Sequence, residues 1–460
     1  MTNIKKGDPV LPELALEGIR VIDLTYSWAG PYLTKLLADM GAEVIKVESC
    51  RRPEFTRPLI PAENEPGKDW WNRSGYFNAG HRNKYGITLD LNFPRGREIL
   101  KELIKLSDIL VEAYSPRVME NFGLDYPVLK ELKPELIMLS LSAYGQTGPY
   151  RNYTSYGTVM ESVSGITQLT GYPDGPPAKS GISYGDPITG LMGAGLILSA
   201  LHRREKTGEG QHLDVSMYET GISLIGEAVM DYTMNRRTDT RRGNQHPAMA
   251  PHGCYRCRGE DMWVAIAVSS EEDWQAFIRA IGEPSWSRDK RFVNQQNRRQ
   301  HQDELNRLIE AWSTQHDHYE VMHILQAAGV TAGAVLTNKE LFFDPHLRER
   351  NFFPVVDDPE VGPRPYAGAA FRLSRTPGSI RFRAPRLGEH NEPILAGLLG
   401  MSREEIDNLE REGVTGQAPL AATEGFVPQK MPLEQLRELK AVIRIETDYR
   451  EQLGLEKHQA

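Results

Sequence analysis

Ile19-Arg20-Val21-Ile22-Asp23-Leu24-Thr25, near the start of this 460-residue chain, is a short apolar run that reads as a buried strand. The loop Tyr26-Ser27-Trp28-Ala29-Gly30-Pro31 follows it. Leu33, Leu36, Leu37 and Met40 then recur at helical spacing, and Gly41 supplies the stop. Val44 to Val47 reads as the next strand. A strand, a helix and a second strand in that order build a parallel sheet with helices on its faces. The stretch therefore predicts a large, doubly wound, Rossmann-like α/β domain.

Working outward, Ile99, Leu100, Leu103 and Ile104 make a helical stripe, and Ile109 to Val111 and Leu136 to Leu141 read as further buried strands. Leu213 to Met217, after the Gly208-Glu209-Gly210 turn, is another strand, with a helical stretch beyond it to about Asn235. The polar, Arg-rich span Arg236 to Gln245 marks a boundary. From 246 to 345 the pattern is that of a separate, smaller α/β domain. It has strands at Trp263 to Val268 and near Ala332 to Leu336, and helices around Glu271 to Ile281 and Asp303 to Trp312. The Pro- and Arg-rich segment Pro354 to Pro385 reads as a return linker.

The expected organisation follows from these pieces. Residues 1–217 form the N-terminal part of the large domain, 218–245 a linker, 246–345 the small domain and 346–385 the return linker. Residues 386–415 complete the large domain, and 416–460 form an extension. In that extension Leu433, Leu436, Leu439 and Ile443 share one helical face, which reads as surface packing or an oligomer contact.

The first strand–helix turn is not G-x-G-x-x-G, and no G-x-x-x-x-G-K-[ST] loop occurs, so the architecture does not imply a dinucleotide or ATP. A formal net charge of −8 argues against nucleic acid as a partner, since phosphate binding needs clustered Lys and Arg. Met1 to Leu11 is polar and lacks an apolar signal region, and no run approaches the about 18 apolar residues of a membrane span. Three cysteines, Cys50, Cys254 and Cys257, make no disulfide framework and suit a reducing cytoplasm. Cys254-Tyr255-Arg256-Cys257 is a lone CxxC near His246 and His252; without a second pair it argues against a metal, and no metal is expected.

The chemistry concentrates at Tyr184-Gly185-Asp186-Pro187-Ile188-Thr189-Gly190, at the mouth of the small-residue helix Leu191 to Ala200. As local structure, Asp186 is an N-cap and Pro187 the first helical residue, where its missing N–H costs nothing. As chemistry, Asp186 is an anionic nucleophile kept ionised by the helix N-terminus, with Gly185 leaving room for a substrate carbonyl.

Several segments, in order from about residue 14 to 415, resemble the family III CoA-transferases, which include formyl-CoA and carnitine CoA-transferases and related racemases. They are Leu16-Glu17-Gly18-Ile19-Arg20-Val21-Ile22-Asp23-Leu24 with Ala29-Gly30-Pro31, then Gly41-Ala42-Glu43-Val44-Ile45-Lys46-Val47-Glu48, then Arg82-Asn83-Lys84 leading into Ile87-Thr88-Leu89-Asp90-Leu91. Ala143-Tyr144-Gly145-Gln146-Thr147-Gly148-Pro149, Gly185-Asp186, Lys206-Thr207-Gly208-Glu209-Gly210-Gln211 and Leu387-Gly388-Glu389-His390-Asn391 follow. Each piece alone is weak; seven in the same order are specific.

The resemblance implies that Asp186 is the catalytic aspartate of an enzyme that moves CoA from an acyl-CoA to a carboxylic acid. Its intermediates would be an aspartyl mixed anhydride and an aspartyl-CoA thioester. Formyl-CoA transferase carries a glutamine just before Ala-Gly-Pro; here Trp28 stands there, and Tyr26 replaces a histidine. These departures point away from oxalate and towards a larger acid, medium-sized or aryl-bearing, with succinyl-CoA as donor. Tyr26, Trp28, Ala29, Tyr156 and Gly185 are expected to form the substrate pocket. In the racemase branch the position of Tyr156 resembles a catalytic histidine; a tyrosine, with its ordinary pKa near 10, is a poor base at neutral pH and favours transfer.

Arg82, Asn83 and Lys84 are expected from the resemblance to bind the CoA phosphates, with Arg51, Arg52 and Arg117 added on charge alone. After Tyr114, where the family often has Arg or Lys, this chain has Ser115. Family members are interlocked dimers; a homodimer or a heterodimer is expected here. The competing readings are an acyl-CoA racemase or isomerase and a non-catalytic CoA-binding subunit.

Overall fold

The computed structural model describes residues 14–420, 430, 432–442 and 444–455. The polar segment Met1 to Leu11 and the stripe residue Ile443 lie outside them. Six strands, β1 (Arg20–Leu24), β2 (Glu43–Glu48), β3 (Lys84–Thr88), β4 (Ile109–Glu112), β5 (Ile137–Ser142) and β6 (Gln211–Ser216), form one sheet in the order β3-β2-β1-β4-β5-β6. Every neighbouring pair is parallel. The expected doubly wound sheet is therefore present.

Strands buried on both faces read as continuous apolar runs, and this is why the sequence reading found them as such. Val21, Ile109 and Ile137 point to one side, against Leu33 and Leu37 of the Ala29–Asp39 helix and Ile197. Ile22, Ile45, Leu110 and Met138 point to the other, against Ile99 and Leu103 of the Pro94–Lys105 helix. Strand order reverses between β1 and β4. In open parallel sheets the crevice at such a reversal, beyond the carboxyl ends of the strands, is where ligands bind.

The chain divides into two compact units. The sheet belongs to the one that runs within Met1–Gly165, Gly181–Gly226 and His346–Ala460. In this unit the Gly86 N–H donates to His390 Nδ1 (3.1 Å) and the Thr88 N–H to Asn391 Oδ1 (2.9 Å), so the closing motif of the sequence brackets strand β3. The other unit comprises Ile166–Ser180 and Glu227–Pro345. Its antiparallel sheet of β7 (His252–Arg256), β8 (Trp263–Ala267) and β9 (Thr331–Val335) is covered on one face by a core that includes Trp274, Phe277, Leu305, Ile309 and Leu325.

Two boundaries differ from the sequence expectation. Residues 166–180, expected in the large domain, group with 227–345, where the Gly243 N–H donates to the Gly171 carbonyl (2.8 Å). A pairing across some 70 residues leaves no local signature. The expected linker 218–245 is helical over much of its length, in Met217–Ser223 and Gly226–Asn235. Of the tail stripe, Leu433 and Leu436 lie in a short helix, Leu433–Glu438, which ends at Leu439.

The CxxC pair is split: Cys254 is exposed and Cys257 is buried in the core of its unit, and burial raises both thiols above their ordinary range. Among the described residues no group of three His, Cys, Asp or Glu is placed to hold a metal ion, and no helix is long and apolar enough to cross a membrane.

Candidate active site

Asp186 lies in the first turn of the 23-residue helix Gly185–Thr207, not ahead of it. The helix starts two residues earlier than its sequence suggests, with Tyr184 as N-cap and no side-chain cap bond. The expected cap role is therefore not what Asp186 does. Pro187 still fits, because N–H groups of the first turn have no intrahelical partner. With its carboxylate free of capping, Asp186 is only 8% exposed and lies close enough to the backbone N–H of Ala29 for that N–H to favour its ionised form. That N–H belongs to the first turn of the Ala29–Asp39 helix, whose N-terminus has no side-chain cap either. Among the described residues no cation pairs with Asp186.

Small residues make this meeting possible. A Cβ at Gly190 would stand 2.5 Å from the Ala29 carbonyl oxygen, and one at Gly193 would stand 2.4 Å from Leu33 Cδ1. Glycine at both positions lets the Gly185 helix lie against the start of the Ala29 helix, which brings the Ala29 N–H to the carboxylate. A third glycine bounds the carboxylate itself: a Cβ at Gly157 would fall 1.5 Å from Asp186 Oδ2. Glu161, on the Gly157–Val163 helix, braces the turn from below. Its Oε1 accepts the Tyr184 N–H at 2.5 Å. Gly185 has a different place from the one expected. A Cβ there would meet Met217 Cγ at 3.5 Å and Met160 Cβ at 3.8 Å, so its missing side chain faces the core and not the front of Asp186.

Burial pushes the Asp186 carboxyl up to about 6; the Ala29 N–H pulls it down and the nearby Glu161 charge pushes it further up. Desolvation thus outweighs the favourable field of a helix N-terminus that the sequence reading emphasised. The group remains about nine-tenths ionised at pH 7, and a buried carboxylate with few partners is a stronger nucleophile than a solvated one.

Several aromatic side chains lie on the segments that meet near this point. Trp28 packs edge-on against Tyr76, with ring centroids 6.3 Å apart. The Tyr76 phenol is raised by burial and then by the charges of Asp186 and Glu54, which places it within reach of both. Tyr156 immediately precedes Gly157; the residue is 72% exposed, and its ring lies 6.5 Å from that of Phe55. Tyr26 faces elsewhere. Its ring packs 5.8 Å from Tyr114 at the β1–β4 reversal, and its hydroxyl donates to the Arg52 carbonyl at 3.1 Å. Of the expected pocket residues, Trp28, Ala29, Tyr156 and Gly185 belong to the segments that meet at Asp186, and Tyr26 lies towards the strand crevice.

The expected phosphate-binding trio is not at the surface. Arg82 is spent on Asp39 (Nη2–Oδ2 2.7 Å) and the Ala367 carbonyl. Asn83 binds Asp39 Oδ1 and the Ser379 carbonyl, both at 2.8 Å. Lys84 donates to Asp23 Oδ2 (3.0 Å), Thr34 Oγ1 (2.8 Å) and the Pro31 carbonyl (3.1 Å). All three are buried, and their motif ties the return segment and the Ala29 helix to the sheet. Arg51 is paired with Asp90 at 2.7 Å. Arg52 and Arg117 are exposed and, among the described residues, in no ion pair; they follow β2 and open the Pro116–Phe122 helix after β4, on the two sides of the strand reversal.

The family model of CoA-transferase family III matches residues 16–391, which takes in the sheet, the Ala29 loop and Asp186. This chain belongs to CoA-transferase family III. Two similar proteins come from Chloroflexus aurantiacus. Its succinyl-CoA--D-citramalate CoA-transferase is 35% identical over 408 residues, covering 88% of this chain and 98% of that protein. Its succinyl-CoA--L-malate CoA-transferase beta subunit is 34% identical, covering 88% and 100%. The crystal structure of a CAIB/BAIF family protein from Brucella suis superposes with a TM-score of 0.75 at 31% identity, covering 84% of this chain and 100% of that one. The protein is a CoA-transferase, and acyl-CoA thioesters are its substrates.

Sequence reasoning missed four residues of this CoA-transferase site: Gly157, Glu161, Tyr76 and Glu54. Gly157 adjoins the residue it did single out, but a lone glycine at a helix start has no chemical signature. The two glutamates look like surface charges in sequence, and only their burial marks them.

Proposed function

We propose that Asp186 is the nucleophile of this CoA-transferase, and that the enzyme moves CoA from succinyl-CoA to a medium-sized or aryl-bearing carboxylic acid. The observation that carries the reading is a buried carboxylate with no cation partner, set beside a main-chain N–H at a helix start. The carboxylate attacks the thioester carbonyl, the C–S bond breaks, and CoA leaves as a thiolate, which forms a mixed anhydride on Asp186. The thiolate then attacks the aspartyl carbonyl, releasing the donor acid and leaving an aspartyl-CoA thioester. The acceptor carboxylate attacks that thioester in turn, and the returning thiolate carries away the acceptor acyl group as its CoA ester. No bond energy is lost to water, so the site must exclude it at each stage.

The Ala29 N–H is the natural donor for the oxyanion that develops during each attack, because it lies beside the reacting carboxylate and favours its negative charge. The donor is read as succinyl-CoA because both Chloroflexus relatives are named for it. Trp28, Tyr76, Phe55 and Tyr156 give the acyl pocket a largely aromatic wall, which supports a bulky acceptor. Arg52 and Arg117 are read as the cations that receive the CoA phosphates at the strand reversal.

Incubation with succinyl-CoA followed by hydroxylamine or borohydride tests this reading by intact mass. Modification is expected at Asp186 with succinyl-CoA and not with free CoA. Arg52→Ala and Arg117→Ala proteins are expected to label to the same extent but to need about tenfold more thioester. An unmodified Asp186, in protein that binds CoA, overturns the covalent mechanism.

The single chain leaves a broad apolar surface open around the site. Val159 and Val163 of the Gly157–Val163 helix and Leu191, Met192, Leu196 and Leu198 of the Gly185 helix are all exposed. Contiguous apolar surface on two adjacent helices marks an interface. We read it as the dimer contact of the family, and the protein is expected to run in solution at twice its 51.8 kDa chain mass by light scattering. A monomer at micromolar concentration rules the contact out.

A further inference from the structure

We propose that Glu54 is a positioning residue for CoA transfer: its buried carboxylate holds the loop before Ala29 in the conformation that presents the Ala29 N–H to Asp186. The inference rests on the reading of Asp186 as nucleophile.

The loop needs such a hold. Ser27 sits at φ 69°, in the left-handed region that side chains other than glycine seldom adopt and that persists only where the surroundings enforce it. Two residues later comes the Ala29 N–H, which lies beside the Asp186 carboxylate and favours its ionised form. Glu54 Oε1 accepts the Ser27 N–H at 2.8 Å. Glu54 is itself fixed from behind: its own N–H donates to Glu48 Oε2 (3.0 Å), and Arg57 grips Glu48 through both oxygens (Nε–Oε2 2.8 Å, Nη2–Oε1 2.6 Å). Lys46 secures the other end of the loop by donating to the Thr25 carbonyl. All four side chains are buried. A continuous set of contacts thus runs from Arg57 through Glu48 and Glu54 to Ser27, and the chain carries it on to Ala29 and Asp186.

The competing explanation is that Glu54 merely neutralises Lys46. The geometry favours the loop. Glu54 Oε2 stands 3.5 Å from Lys46 Nζ and makes no hydrogen bond, whereas Oε1 makes a well-formed one to Ser27. A buried carboxylate with one loose ionic contact is costly for a chain to keep. Its retention makes sense when the oxygen facing Ser27 has work to do.

Three variants separate the two explanations by steady-state kinetics and the acid limb of kcat/KM. Glu54→Gln keeps an acceptor for the Ser27 N–H and loses the charge; it is expected to hold kcat within about threefold. Glu54→Asp keeps the charge but withdraws the acceptor by one methylene. Its kcat is expected to fall about 10- to 100-fold, because a displacement near 1 Å at the reacting centre has that effect. Its KM for acyl-CoA is expected to stay within about twofold. Its acid limb is expected to move above 6, since Asp186 loses the N–H that draws its carboxyl down. Adding Ser27→Gly to Glu54→Asp is expected to restore part of the rate, because glycine adopts a positive φ without help.

The inference is overturned if Glu54→Gln fails while Glu54→Asp is normal, the order that charge neutralisation requires. It is also overturned if Glu54→Asp loses melting temperature with an unmoved acid limb. An Asp186→Ala control keeps the two readings apart. If that control turns over normally the nucleophile assignment falls, and if it is dead while every Glu54 variant is normal, only the positioning role falls.

Discussion

An Asp186→Ala variant is expected to lose at least about 1,000-fold in kcat for CoA transfer while binding acyl-CoA within a few-fold of the parent. The loss is large because each covalent stage of the proposed reaction is formed on this carboxylate and no neighbouring group can stand in. Glu161 is turned to the Tyr184 N–H and Glu54 to the Ser27 N–H. In the parent enzyme kcat/KM is expected to fall about tenfold per pH unit below about 6, the value to which burial raises the Asp186 carboxyl.

The isosteric Asp186→Asn variant shows that inactivity is not misfolding. The folded-state pKa lies above the ordinary 3.8, so the folded protein holds this proton more tightly than the unfolded chain. Stability from the group is full below about 3.8 and is lost as pH rises through 6. At pH 8 the ionised carboxylate is therefore a burden, and Asn is expected to stabilise the fold by about 2 kcal/mol in denaturant titrations. The gain should narrow as the pH is lowered to 5. A destabilised Asn variant at pH 8 contradicts the burial argument.

The second large effect concerns a residue with no chemistry of its own. Gly157→Ala is expected to lower kcat about 100-fold or more, because its Cβ would lie 1.5 Å from Asp186 Oδ2 and must turn the carboxylate away. The obstacle is the end of a short side chain and not backbone, so the melting temperature should drop by only a few degrees. Gly185→Ala is the control. Its Cβ meets only ordinary contacts, 3.5 Å and beyond, and alanine suits a helix better than glycine by up to about 1 kcal/mol, so activity within about threefold of the parent is expected. The opposite ranking, with Gly185 sensitive and Gly157 tolerant, would mean that the carboxylate does not occupy the observed position during turnover.

The contrast between these glycines shows where reading the sequence succeeds. Asp186 was legible because its segment recurs among others in a fixed order, and the sheet was legible because strands buried on both faces are written as unbroken apolar runs. Gly185 was legible as part of the same motif, yet its role in the pocket was assigned to the wrong side of the backbone. Arg82, Asn83 and Lys84 were found as a motif and misread as phosphate ligands. Cations with asparagine between them look solvent-facing in a sequence; here Asp39 and Asp23, 43 and 61 residues away from Arg82 and Lys84, absorb them.

What the sequence by itself determined is whatever period and order encode: five of the six parallel strands, the helices that cover them, the family, and the one carboxylate on which the transfer chemistry is proposed to turn. What only the tertiary structure decided is which atoms face that carboxylate. The Ala29 N–H reaches it because Gly190 and Gly193 let two helices approach, Gly157 leaves room for its oxygen, and Glu54 and Glu161 hold the two segments that meet there. These are contacts between residues some 25 to 160 positions apart. Distances of that kind are set by how closely helices pack and where charges are buried, quantities that local pattern does not record.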